Sequence, residues 1–169
     1  MFMRERSHEK GKNYQKKVKK WLYGRPFLGY ESDVFGDAYD VSNYATCIGE
    51  MGYDISMCLK KNEEAKKILY IECKYRDELS GSINTDFHGF LLNSYNAFSS
   101  AKSDQADAAQ FCFISNIPPT KLHQFFKDSQ SYTIEQFKKK GIEFDEQKFR
   151  RFVDRIHVLI LSKTILGLE

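Results

Sequence analysis

Apolar residues near the start of the chain recur at helical spacing. Tyr14, Val18, Trp21 and Leu22 stand at i, i+4, i+7 and i+8 with lysines between them, which predicts a helix over residues 11–23 with one buried stripe. Gly24-Arg25-Pro26 stops it. Residues 27–43 are aromatic and acidic and show no clear period. The pattern then turns to period two. Residues 44–48 and 52–59 read as consecutive strands around a Gly49–Gly52 turn, with Tyr53, Ile55 and Met57 alternating with Asp54, Ser56 and Cys58. A polar loop over 60–67 leads to a greasy strand at 68–75, which forms an antiparallel hairpin with the strand before it. Residues 76–84 are a polar loop. A helix capped by Asn84 or Thr85 follows to about Lys102, with Phe87, Phe90, Leu91, Ser94, Phe98 and Ala101 on one face. A short buried-type strand at 110–115 ends in Asn116-Ile117-Pro118-Pro119. Helical segments are expected at 120–126, at 134–140 and, capped by Asp145, through 155, before a last strand at 156–161. This order predicts a mixed α/β sandwich with the sheet in the middle.

Composition narrows the class. The 169 residues are enough for one domain with a sizeable core, and 41% hydrophobic with 15% aromatic residues excludes a disordered chain. No apolar run is long enough for a bilayer, and the charged first residues do not form a signal peptide, so a cytoplasmic protein without a membrane partner is expected. Cys47, Cys58, Cys73 and Cys112 have no C-x-x-C spacing and read as reduced apolar residues. His8, His88, His123 and His157 are scattered and show no paired metal-ligand spacing. Net charge is only +3, but residues 1–20 hold eight basic side chains against two acidic ones, a local excess of six positive charges. Such an end suits a polyanion, nucleic acid first, or simply forms a solvated helix face.

The candidate chemistry sits on the strand Ile68-Leu69-Tyr70-Ile71-Glu72-Cys73-Lys74-Tyr75. Side chains alternate along a strand, so Glu72 and Lys74 project to one side with Tyr70 and Ile68, while Leu69, Ile71, Cys73 and Tyr75 face the other way. An acid and a base on so apolar a strand cost desolvation energy unless they are paired, solvated or holding a metal. Asp54 lies eighteen positions upstream on the neighbouring predicted strand. Two carboxylates brought together from adjacent strands make a hard-oxygen site suited to Mg²⁺ or Mn²⁺, to which the carbonyl of Cys73 adds another oxygen. A divalent ion there polarises a phosphodiester and orients water, and a lysine beside it serves the attacking water or the developing charge.

Gly52-Tyr53-Asp54 followed by Ile71-Glu72-Cys73-Lys74 resembles the PD-(D/E)xK signature of restriction-endonuclease-like nucleases, a superfamily that includes Mrr-like nucleases and Holliday junction resolvases. The resemblance implies a three-layer α/β/α sandwich with a central mixed sheet, with Asp54 and Glu72 binding metal and Lys74 assisting the nucleophile. Many relatives carry a first-helix pattern like G-x-x-F-E-x-x-V. Here Gly11-Lys12-Asn13-Tyr14-Gln15-Lys16-Lys17-Val18 fits it with Gln15 at the Glu position, a neutral amide and hence a weaker ligand. Tyr53 stands where the signature has Pro. The tripeptide alone says little, since Glu64-Ala65-Lys66 and Glu146-Gln147-Lys148 match it too. Apolar context, the upstream Asp and the matching first helix separate Glu72-Lys74 from these copies.

The expected function is therefore metal-dependent hydrolysis of phosphodiester bonds, in DNA ahead of RNA. Lys12, Lys16, Lys19 and Arg76 would hold the phosphate backbone. A homodimer is the economical arrangement if both strands of a duplex are cut. A catalytically impaired module of the same fold, binding nucleic acid or a protein, is the alternative that Gln15 favours. An accidental motif in a structural or toxin-neutralising protein is a third reading.

Overall fold

A computed structural model of the chain describes residues 2–23, 25, 53–60, 66–77, 82–127, 134–135 and 137–168. The expected link at 27–43, the strand at 44–48, the Gly49–Gly52 turn and residues 78–81 of the expected polar loop lie outside the described residues. The elements in chain order are α1 (Phe2–Leu22), β1 (Ile55–Lys60), β2 (Lys66–Lys74), α2 (Ser82–Ser100), α3 (Ser103–Ala108), β3 (Ala109–Ser115), α4 (Leu122–Lys127), α5 (Glu146–Val153), β4 (Ile156–Ile160) and α6 (Lys163–Leu166).

The four strands form one mixed sheet in the order β1-β2-β3-β4. β1 runs antiparallel to β2 with Ile55 opposite Ile71 and Lys60 opposite Lys66. β2 and β3 are parallel, as are β3 and β4. Parallel neighbours need a crossover. Helices α2 and α3 supply the first, and α4 and α5 the second.

Alternation along β2 sorts its side chains between two buried clusters. Tyr70 joins an aromatic one with Phe87, Phe90 and Phe98 of α2, Phe111 and Phe113 of β3, and Phe149 and Phe152 of α5. Leu69 and Ile71 join an aliphatic one with Tyr14, Val18 and Leu22 of α1 and Leu166 of α6. Neighbouring residues of a strand point to opposite faces, so the two clusters take their β2 side chains from opposite faces of the sheet. β3 is buried on both, with Phe111, Cys112, Phe113 and Ile114 each inaccessible to solvent. That double burial explains its unbroken apolar run. Each large side chain so enclosed contributes about 2 kcal/mol of transfer free energy.

Three expectations change. The first helix begins at Phe2 rather than near Gly11. Its first three turns lack an apolar stripe, and high-propensity Arg, Glu and Lys carry the helix there. Tyr53 does not share a face with Ile55. It packs in the aromatic cluster with its ring 5.3 Å from Tyr70, whereas Ile55 lies in the aliphatic one. The backbone bends at Asp54, just before β1, which interrupts the period-two pattern. The short helices α3 and α6 were not anticipated, although Ser162 caps the latter through Ile165 N and Gly167 ends it in the left-handed region. Asp145 caps α5 as expected, its Oδ1 accepting from Lys148 N at 2.9 Å. Among the described residues no helix is long and apolar enough to cross a membrane.

Candidate active site

The bend at Asp54 and the charged end of β2 meet where the β1–β2 ladder runs out. Past its last pair, Ile55 and Ile71, Asp54 comes close enough to Glu72 for its charge to raise the Glu72 pKa. There Asp54 turns its side chain to β2, and its Oδ2 accepts from Cys73 N at 2.8 Å. In an antiparallel arrangement a residue's N–H and C=O face the same neighbour. The Cys73 carbonyl therefore faces the same side as the N–H that Asp54 takes. The Cys73 thiol packs against the aliphatic cluster, and burial, then the Asp54 charge, push its pKa well up. Its carbonyl, not its sulfur, is the group available to a hard cation.

Lys74 Nζ lies 2.6 Å from Glu72 Oε1, with the two side chains 31% and 20% exposed. Spacing of two on a strand brings the pair to one face, as the sequence predicts. Burial raises the pKa of both acids. The Cys73 N–H and the Lys74 charge oppose that rise at Asp54. At Glu72 the nearby Asp54 charge adds to it, while Lys74 opposes it. Burial pulls the Lys74 pKa down, but Glu72 and Asp54 outweigh it, and the ammonium is held more tightly than in water.

The site opens on a cleft of about 590 Å³, walled by Asp54, Cys73, Lys74 and Arg76 on one side and by Lys12 and Gln15 of α1 on the other. Gln15 Nε2 donates to the backbone oxygen of Asp54 at 2.8 Å. A glutamate could not make that bond. The departure from an acidic residue at this position thus has a structural use, as a strut from α1 to the bend that carries Asp54. His8, at the same cleft, was missed by sequence reasoning. With the helix running back to Phe2, His8, Lys12 and Gln15 fall at i, i+4 and i+7 on one face, which is the signal that would have found it.

The expected phosphate contacts divide. Lys12 lines the cleft, while Lys16 lies with Lys10 along an adjoining groove. Lys19 is exposed in the last turn of α1, where a basic residue also complements the helix dipole. Arg76 lines the cleft and forms a two-pronged ion pair with Asp86 of α2, Nε to Oδ2 at 2.6 Å and Nη2 to Oδ1 at 2.7 Å. Asp86 was not foreseen either. It is brought in by the α2 crossover, and its charge reaches both Glu72 and Lys74.

The donor set fits a hard divalent cation. Two carboxylates whose ionised forms are penalised by burial gain from a positive ion between them. Among the described residues no group of three or more His, Cys, Asp and Glu side chains is placed to hold a metal ion. Backbone carbonyl, amide and substrate oxygens would have to complete a shell at Asp54 and Glu72. Compared with known proteins, the chain matches no family model, and neither a curated protein nor a solved structure is similar to it.

Proposed function

We propose that this protein is a metal-dependent nuclease of the restriction-endonuclease-like kind, built as a three-layer α/β/α sandwich, that hydrolyses phosphodiester bonds, in DNA before RNA. The observation that carries the reading is that Asp54 and Lys74 line one open cleft, with Glu72 paired to Lys74 at 2.6 Å and near enough to Asp54 to feel its charge. Mg²⁺ or Mn²⁺, held by Asp54, Glu72 and the Cys73 carbonyl, would polarise the phosphodiester and lower the pKa of a water.

The chain's own groups then have separate tasks. Asp54 is aimed by two backbone contacts, one at its carboxylate from Cys73 N and one at its carbonyl from Gln15. Gln15 is thereby a positioning residue first and a weak ligand at most. Glu72 fixes the direction of the Lys74 ammonium. Glu72 and Asp54 favour the ammonium form of Lys74, which would orient the attacking oxygen or stabilise the charge that gathers on the phosphoryl group. Lys12, Lys16 and Arg76 attract the backbone without reading base edges, which makes affinity salt-dependent.

The test is cleavage of duplex DNA, single-stranded DNA and RNA with Mg²⁺ or Mn²⁺, by wild type and by Asp54→Ala and Lys74→Ala. Metal-dependent cutting lost in both variants supports the enzyme. Binding of nucleic acid without cutting of any form supports the impaired module. Cutting that persists unchanged in both variants contradicts the assignment of the site.

A further inference from the structure

Arg76 is moored more firmly than a solvated arginine needs to be. Its N–H donates to Asn116 Oδ1 at 2.8 Å, and its carbonyl accepts from Asn116 Nδ2 at 2.7 Å. The β2–β3 ladder ends at Lys74 opposite Ser115, so the side-chain amide of Asn116, only 5% exposed, does for Arg76 what one more ladder pair would do. The guanidinium is then clasped by Asp86. Two of its donors are spent there, and the side chain is still 32% exposed against 14% for Asp86. Glu72, Lys74 and Arg76 follow one another at a spacing of two, so they share a face, and Lys74 and Arg76 line the same cleft. A guanidinium is a planar fork whose remaining N–H groups can take a second oxyanion.

We infer that Arg76 is a fixed phosphate-binding group of this cleft and that Asp86 and Asn116 are positioning residues that aim it. Its ligand is a backbone phosphate of the nucleic acid next to the one facing Lys74, an identity that rests on the nuclease reading. Holding the fork in advance removes the entropic cost of ordering a long side chain on binding. A guanidinium serving only to tie β2 to α2 would need neither the cleft nor the exposed edge.

The test measures binding of a fluorescently labelled DNA duplex over a series of KCl concentrations in EDTA, where nothing is cut. Arg76→Gln combined with Asp86→Asn removes one charge of each sign, so net charge is kept and a hydrogen-bonded pair remains possible. The expected result is affinity lower by about tenfold and a plot of log affinity against log salt shallower by about 0.9, the loss of one phosphate contact. Asn116→Ala keeps the guanidinium but loosens it, so affinity falls by about threefold with the slope unchanged. Wild-type affinity and slope in the double variant overturn the inference. If the double variant does not fold by circular dichroism, Arg76→Lys keeps the charge and loses the fork. Its affinity should then fall several-fold, and an unchanged affinity is the contrary result. A wild type that binds but never cuts with Mg²⁺ or Mn²⁺ ends the nuclease reading and leaves this contact standing. A wild type that cuts, with a double variant that binds normally, ends only the contact. A wild type that binds no nucleic acid ends both.

Discussion

At residues 72–74 the tripeptide Glu-x-Lys lies on strand β2, and at 146–148 it opens helix α5. On the strand, positions i and i+2 share a face, and Lys74 Nζ comes within 2.6 Å of Glu72 Oε1. On the helix the same spacing turns the side chains well apart. Glu146 pairs instead with Arg150, four residues on, at 2.8 Å on an exposed face, while Lys148 gives its backbone N–H to the cap at Asp145. Burial follows the same division. The strand copy is enclosed enough for burial to raise the acid's pKa, and it has the Asp54 charge close by. The helix copy is exposed at both Glu146 and Lys148. Identical residues thus make a charged site in one place and ordinary helix chemistry in the other, and backbone period with burial decides which.

The largest expected contrast between the copies is catalytic. Asp54→Ala, Glu72→Gln and Lys74→Ala should each lower metal-dependent cleavage by about a hundredfold or more, whereas Glu146→Ala and Lys148→Ala should leave it within error. Initial rates on one labelled substrate measure both sets, and an equal loss in the two would erase the distinction.

A second contrast concerns stability and pH. Burial raises the pKa of Asp54 and of Glu72, so the folded chain holds those protons more tightly than the unfolded one. The pair therefore favours folding at acid pH, and that contribution is lost as pH rises through the folded-state values. Asp54→Asn, which can still accept from Cys73 N, should then raise the midpoint of thermal unfolding at neutral pH, by about 2–4 °C for each kcal/mol gained. The gain should shrink in acid. A drop at neutral pH would mean that the carboxylate's contacts outweigh its desolvation.

Gln15 offers a smaller effect on the strand copy's neighbour. Gln15→Glu loses the donor to the Asp54 carbonyl and sets a carboxylate against it, a change of about 1–3 kcal/mol. Metal-free thermal unfolding should fall in that variant, and an unchanged midpoint would remove the strut. Smallest of all is Glu146→Ala, which breaks an exposed i,i+4 pair worth about 0.3–0.5 kcal/mol and should scarcely move chemical denaturation.

Much of this molecule is legible in its sequence where a single period runs undisturbed. The aromatic face of α2, the buried strand β3 and the paired charges at the end of β2 are of that kind, since each is a local repeat whose burial follows from backbone geometry. What escaped notice has a physical reason as well. The bend at Asp54 sends Tyr53 to the aromatic cluster against the alternation, because the strand begins only at Ile55. Lysine-rich turns of α1 have no apolar stripe to announce them. Asp86 and Asn116 reach Arg76 from ten and forty residues away, and no local pattern encodes such a meeting. Gln15 looked like a weakened ligand, whereas its amide donates to Asp54, a role that only the placement of α1 against the bend reveals.

The proposal that the Asp54 and Glu72 carboxylates share one cation is tested most directly by titrating Mn²⁺ into ¹⁵N-labelled protein and following the paramagnetic broadening of backbone amide signals. Broadening should begin at Asp54, Cys73 and Lys74, leave residues 146–148 sharp, and disappear from the first set in Asp54→Asn. Broadening spread evenly over exposed acids, or unchanged at residues 72–74 in that variant, would contradict a metal site at the end of β2.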